Sequence, residues 1–252
     1  MNEIDLLLNR FKSNTQTWSD YQEFLDLPES KIKKFFKLVK KITIDNFNNK
    51  LKIYIPNKRF PAISITGSEC SLNCEHCNKK YLNGMKDLRK NEDLKKFLYT
   101  HYENNGIGVL ISGGCDPNGA VPLGNFIDTI KEIKQNTELI INVHTGLLTA
   151  KTAKALADAN VDIISFDITM DESAIKEIYH LNKDNEDYKK ALEVLKEHNL
   201  NIVPHICVGL YYGRLHKELA VLRYIRESGL NPSLMVIIAL IPPKRKSAMF
   251  KE

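Results

Sequence analysis

From residue 60 onward, short runs of β-branched and aliphatic residues alternate with longer stretches of helical period, and no other feature restricts the fold as much. Such alternation builds βαβ units, in which a helix carries the chain back so that successive strands lie parallel. Six strands are predicted: AISIT from Ala62, IGVLIS from Ile107, LIINVH from Leu139, VDIISFDI from Val161, NIVPHICV from Asn201 and LMVIIAL from Leu234. Helices are predicted between them over residues 91–102, 126–134, 149–159, 186–198 and 217–227, the fourth with Tyr188, Leu192 and Leu195 on one face. Thr149 and Asp171 are placed to cap helices.

A chain of 252 residues, 43% hydrophobic, can bury one full α/β core of this kind. Residues 1–57 read as a helical extension that covers one end or flank of whatever follows and carries no chemistry. In the extension, helix 18–25 leads to Pro28 and a lysine-rich helix over 29–45, with Ile32, Phe35, Phe36, Leu38 and Val39 facing inward; a short strand is expected at 51–55. The net charge of +5, from 36 basic and 31 acidic residues spread along the chain, argues for neither a nucleic-acid nor a membrane partner. No apolar run has the length of a membrane span, and the start, MNEIDLLLNR, lacks the order of a signal peptide, so the expected location is cytoplasmic. The chain stops at Glu252, a few residues past the sixth strand and its IPPKRK loop. That leaves no room for a sixth helix, so either the chain is shortened or the barrel is open.

In parallel α/β folds chemistry gathers where strands end. Cys70 follows strand one; Ser112, Gly113, Gly114, Cys115 and Asp116 follow strand two; His144 and Thr145 close strand three; Asp167 closes strand four; His205, Cys207 and Gly209 lie at the end of strand five. Five strands finishing in reactive or glycine-rich groups exceed what packing alone requires.

Three of the five cysteines sit in CSLNCEHC, as Cys70, Cys74 and Cys77 with spacing C-x3-C-x2-C. Thiols packed this closely cannot all pair with one another, and a reducing compartment keeps them as metal ligands. A cubane iron–sulfur cluster needs four ligands, so three thiolates leave one iron open to something other than cysteine. A structural zinc site would need a fourth protein ligand, and His76, between two of the cysteines, is poorly placed to supply it. Asp116, with Pro117, Asn118 and Gly119, is turn chemistry at the mouth. His144 and His205 read either as hydrogen-bonded rim histidines or as ligand or substrate contacts. Asp167 is expected to be buried at the base of its strand, where a carboxylate needs a polar partner.

With SGGC after the second strand, the cysteine motif resembles the radical S-adenosylmethionine (radical SAM) superfamily over residues 58–252. The resemblance implies a partial (β/α)6 TIM-like barrel and a [4Fe–4S] cluster on Cys70, Cys74 and Cys77, whose open iron chelates SAM. An electron from a low-potential donor then cleaves SAM to methionine and a 5′-deoxyadenosyl radical, which abstracts hydrogen from an unactivated carbon. It also implies that Ser112, Gly113 and Gly114 approach the SAM amino group, that Asp167 meets the SAM ribose or the substrate, and that Gly209 lies near adenine. His144 is counted among these cofactor-binding positions. His76 stands where the family usually has an aromatic residue that uses its backbone toward adenine.

FPAISITGSECSLNCEHC, ISGGCDPNG, VPL, NVHTG and PHICVGLYYG together look like the biotin-synthase-like branch, and within it the archaeal-type two-component lipoyl synthases. That resemblance implies sulfur insertion into an octanoyl group carried by a protein or peptide, with a second radical SAM subunit as partner. It also implies an auxiliary iron–sulfur cluster on Cys115 and Cys207, with His144 or His205 as a further ligand. The plain alternative for Cys207 is packing in an apolar strand. Two other readings stand beside sulfur insertion: a radical SAM reaction elsewhere in cofactor biosynthesis, such as biotin-synthase-like chemistry, C–C bond formation or methylation, and a non-catalytic iron–sulfur or zinc partner subunit.

Overall fold

The computed structural model describes residues 3–13, 15–48, 50, 52–55, 58–241 and 249–250. The chain divides into two compact units, Met1–Ile55 and Pro56–Glu252.

The first unit holds three helices, α1 (Glu3–Lys12), α2 (Trp18–Leu25) and α3 (Glu29–Phe47). Its core is aromatic: Phe11 meets Tyr21 and Phe35 edge-on at centroid distances of 5.2 and 5.5 Å, and Phe24 meets Phe35 at 4.9 Å. Edge-to-face contact of this kind adds about 0.5–1.5 kcal/mol per pair beyond area burial. Of the α3 residues predicted to face inward, Phe35 is buried and Ile32 and Leu38 partly so, whereas Phe36 and Val39 are exposed. The helix carries apolar side chains on more than one face, and among its described aromatic residues it is Phe35 that packs into the cluster. Asn48 ends α3 in the left-handed conformation (φ 51°), which asparagine tolerates. Residues 52–55 form no strand. Residues 242–246 of the predicted IPPKRK loop lie outside the described residues.

The second unit is a seven-stranded parallel sheet of order β2-β1-β3-β4-β5-β6-β7. Its strands are β1 (Ala62–Ser64), β2 (Lys86–Asp87), β3 (Gly108–Ser112), β4 (Ile140–His144), β5 (Ile163–Asp167), β6 (Ile202–Val208) and β7 (Val236–Ala239). The six predicted strands are present in chain order. The seventh, β2, is two exposed residues with no apolar signal. Helices α4 (Asn91–Glu103), α5 (Ile127–Asn136), α6 (Ala150–Asp158), α7 (Asn185–Glu197) and α8 (Glu218–Glu227) occupy the predicted crossovers. Thr149 accepts the Thr152 N–H at 3.3 Å, and Asp171 accepts the Ala174 N–H at 3.1 Å, so both cap as expected. What Asp171 caps is a π-helical turn, Ala174–Ile178, a form enriched at functional sites.

Register explains where the core and the site lie. Ile63, Ile111, Val143, Ile164 and Ile202 are partners in one row across five strands, and all are buried. Side chains alternate faces along a strand, so the flanking positions Asn142 and His144, Ser165 and Asp167, and His205 and Cys207 share the opposite face. The Ser165 hydroxyl donates to Asn142 Oδ1 at 3.0 Å across that face. The described sheet ends at β2 on one side and β7 on the other and does not close. Among the described residues no helix is long and apolar enough to cross a membrane.

The first unit carries a pH-dependent tie. The Thr17 backbone N–H donates to Asp20 at 2.6 Å and Arg10 pairs with it at 2.7 Å, and these contacts hold the carboxyl below its ordinary 3.8. A carboxyl lowered by folding contributes stability above its unfolded value, and that stability is lost as pH falls through the folded one. Fluorescence of Trp18, the single tryptophan, should therefore show a urea midpoint that drops below about pH 4, and Asp20→Asn should abolish that drop. An acid response unchanged in Asp20→Asn would refute the assignment.

Candidate active site

The loop after β1 carries the three clustered cysteines, and the turn after β3 holds it in place. The Thr66 hydroxyl donates to the Glu69 carbonyl at 2.8 Å and accepts the Gly114 N–H at 2.7 Å. The Ser71 N–H donates to the Cys115 carbonyl at 2.8 Å, and the Cys115 N–H reaches Cys70 Sγ at 3.3 Å. Gly114 is required sterically: a Cβ there would stand 2.0 Å from the Glu69 carbonyl oxygen and 2.6 Å from Cys70 Cα. On the other side, the Glu75 N–H donates to the Ile178 carbonyl at 2.8 Å, Cys74 Sγ lies 3.7 Å from the Tyr179 carbonyl, and Glu75 pairs with His180 at 2.7 Å. The loop is thus gripped between the β3 turn and the π-helical turn.

Cys70, Cys74 and Cys77 open on one cavity of about 570 Å³, whose far wall carries His144, Asp167, His205 and Cys207. Cys115, Ser112, Gly113, Gly114 and His76 also line it. Gly209 does not. It turns the chain at φ 79°, and its N–H donates to Glu218 at 2.8 Å. Asp116 serves its own turn, accepting the Asn118 and Ala120 N–H groups at 2.8 and 3.0 Å. Sequence reasoning missed Tyr179, which lines the cavity from the π-helical turn, and assigned Tyr188 only to a helix face; both phenols are held neutral chiefly by burial.

The donor set fits an iron–sulfur cluster. Burial, then the neighbouring Cys77 and Cys70, push the Cys74 thiol from 9.0 up to about 12. Charging it without a cation costs on the order of 4 kcal/mol more than charging a free thiol, which a positively charged metal centre would repay. A single zinc draws its thiolates to within about 3.8 Å of one another. In a cubane cluster, by contrast, each thiolate would bind a different iron. Among the described residues, His144, Asp167 and His205 are placed to share one metal ion, their ligand atoms all lying within 4.8 Å of one another. His76 is neutral, its imidazole lowered to about 4 by burial, and its Nδ1 is buried without a hydrogen-bond partner.

On the far wall His144 Nε2 lies 2.9 Å from Asp167 Oδ2, and His205 Nδ1 lies 3.6 Å from Oδ1. Asp167 is not sealed beneath the sheet as expected. Protein surrounds it, yet 47% of its side chain is open to the cavity. Burial alone would raise its pKa, but His144 and His205 outweigh that and hold it well below the carboxylate range. His144 is raised, burial being outweighed by the Asp167 charge. Burial pushes Cys115 up to about 12, with help from Cys70 and Cys74, and Cys207 up to about 11, with help from Asp167.

The Gly114 contact yields a test. Overpacking against backbone costs about 1–3 kcal/mol, so Gly114→Ala should displace the cysteine loop and lower iron per chain after anaerobic reconstitution by about fivefold or more. Gly124→Ala, where an added Cβ meets nothing within 4 Å, should leave it unchanged. Equal iron in both variants would sink this account of Gly114.

The sequence pattern of the Radical SAM superfamily matches residues 64–218. A 7-carboxy-7-deazaguanine synthase from Clostridium acetobutylicum is 24% identical over 184 residues, covering 68% of this chain and 81% of that protein. Among solved structures, HydG, a maturase of the [FeFe]-hydrogenase, superposes with a TM-score of 0.69 at 19% identity, over 96% of this chain and 55% of its own. The chain thus spans little more than half of the maturase. Methylornithine synthase (PylB) gives a TM-score of 0.66 at 16% identity, over 96% of this chain and 70% of its own. These structural likenesses establish the partial barrel fold. The matched pattern covers more than half of the sequence and includes all three clustered cysteines, so the chain belongs to the radical SAM superfamily, whose cofactors are a [4Fe–4S] cluster and S-adenosylmethionine.

Proposed function

We propose that this radical SAM enzyme abstracts a hydrogen atom from an unactivated carbon of a substrate with an apolar body and a polar end, in a step of cofactor assembly. The observation that carries this is the two-walled cavity: metal-ready thiols on one side, His144, Asp167 and His205 on the other, and Leu72, Leu82, Val121, Leu147, Leu181 and Ile238 between. Cys70, Cys74 and Cys77 would hold the cluster, which with SAM supplies a 5′-deoxyadenosyl radical. The unpartnered His76 Nδ1 is free to meet a bound nucleoside. The apolar walls exclude water from the reacting carbon, and the polar far wall orients the substrate's other end.

Protein reconstituted anaerobically should be brown and, reduced with dithionite, should convert SAM to 5′-deoxyadenosine. Ala at any of Cys70, Cys74 or Cys77 should reduce turnover by at least about a hundredfold. A colourless, zinc-containing product with no SAM cleavage would instead establish a non-catalytic binding subunit.

A second reading, sulfur insertion into an octanoyl chain on a protein or peptide, is favoured by Cys115 and Cys207, which line the same cavity and are not needed for the SAM cluster. It requires an expendable sulfide, which an auxiliary cluster on these cysteines would supply. Incubation of the reduced enzyme with SAM and an octanoyl-lysine peptide should add the mass of sulfur. No such gain, with or without a second radical SAM subunit, eliminates this reading and leaves the first standing. Iron per chain should fall in Cys115→Ala/Cys207→Ala if the auxiliary cluster exists, and stay constant if it does not.

A further inference from the structure

We infer that His144, Asp167 and His205 form a binding site for a single divalent transition-metal ion, separate from the cluster cysteines, with open coordination positions facing the cavity. Two imidazoles and one carboxylate are the donors of open sites for Zn²⁺ and Fe²⁺.

The spacing fits one ion. Ligands bound at about 2.0–2.1 Å stand about 2.9 Å apart at right angles and about 3.4 Å apart at the tetrahedral angle. Here the His144 and Asp167 atoms are 2.9 Å apart, the His205 and Asp167 atoms 3.6 Å, and all three lie within 4.8 Å of one another. Orientation favours a shared ion over a proton-holding triad. His144 Nε2 is buried and makes no hydrogen bond, although a carboxylate oxygen lies 2.9 Å away. The contact falls short of hydrogen-bond geometry, and an ion held between the two atoms would satisfy both.

The site is built on rigid elements. The donors end or lie within β4, β5 and β6, three adjacent strands, and Asp167 and His205 are direct register partners. All three side chains remain partly open on the cavity side, at 27%, 47% and 18% exposure, so a bound ion would keep positions free there. Those positions suit an anionic, carbonyl or thiolate group at the substrate's polar end. This assigns Asp167 to the ion rather than to the SAM ribose, and it holds whichever reaction the cluster drives.

The test uses untagged, cluster-loaded full-length protein incubated with Zn²⁺ and desalted. Elemental analysis should find about one zinc per chain beside the cluster iron. His144→Ala and His205→Ala should lose the zinc and keep the iron, whereas Cys115→Ala/Cys207→Ala should keep the zinc. X-ray absorption at the zinc edge of the unmutated protein, which needs no variant to fold, should show only nitrogen and oxygen ligands at about 2.0–2.1 Å. A sulfur shell at about 2.3 Å, zinc surviving in both histidine variants, or no zinc retained by the unmutated protein would each overturn the site.

Discussion

The contact between Gly114 and the Glu69–Cys70 backbone sets the geometry on which the rest of the site depends. Three cysteines within eight residues can take up many arrangements, and most of them point away from the barrel mouth. The loop is fixed because the β3 turn presses against it with no side chain between, and because Thr66 bonds both the loop and the turn. Backbone hydrogen bonds then continue the docking through Ser71 and Cys115. Each such bond is worth only about 1 kcal/mol net. Several acting on one short segment are enough to select one arrangement from the many.

The opposite wall has a different physical origin. Nothing there depends on a loop; its groups are interior-facing positions of adjacent parallel strands. A row of buried isoleucine and valine faces one side of the sheet, and the same two-residue period turns His144, Asp167, His205 and Cys207 to the other. The hydrophobic row fixes the register, because a slip of one residue would bury these polar groups among the helices and expose the row to the cavity. Packing on one face thereby positions chemistry on the other.

Much of this was legible beforehand. The βαβ rhythm predicts the crossovers and six strands, and reactive groups at strand ends mark the mouth. What escaped did so for identifiable reasons. β2 is Lys86–Asp87, whose exposed side chains leave no pattern. A π-helical turn adds one residue to a helical period and cannot be seen over five residues. A glycine in a glycine-rich turn can face a ligand or a backbone; Gly114 meets Glu69, 45 positions earlier, which no local pattern contains. The openness of Asp167 depends on a cavity enclosed by several distant segments, so its strand position alone suggested burial. Phe36 and Val39 show the limit of reading a helix by apolar content: both are exposed, whereas Phe35 packs against the rings of the partner helices.

Electrostatics connects the two walls. Between apolar surfaces a charge acts over longer distances than in water, and the Asp167 carboxylate adds to the burial that keeps Cys115, Cys207, Tyr179 and Tyr188 protonated. Two cavity-facing cysteines that carry S–H bonds are consequential where carbon radicals form, because the S–H bond is weak and gives its hydrogen atom readily to carbon. A free thiol within reach would return hydrogen to the substrate radical and undo the abstraction. Cys115 and Cys207 must therefore lie out of reach of the substrate carbon, be ligated to a metal and so lack the hydrogen, or serve as the donors that end the reaction. The three clustered cysteines account for how a radical would be made here. Which product results depends on which of these fates the other two sulfurs meet.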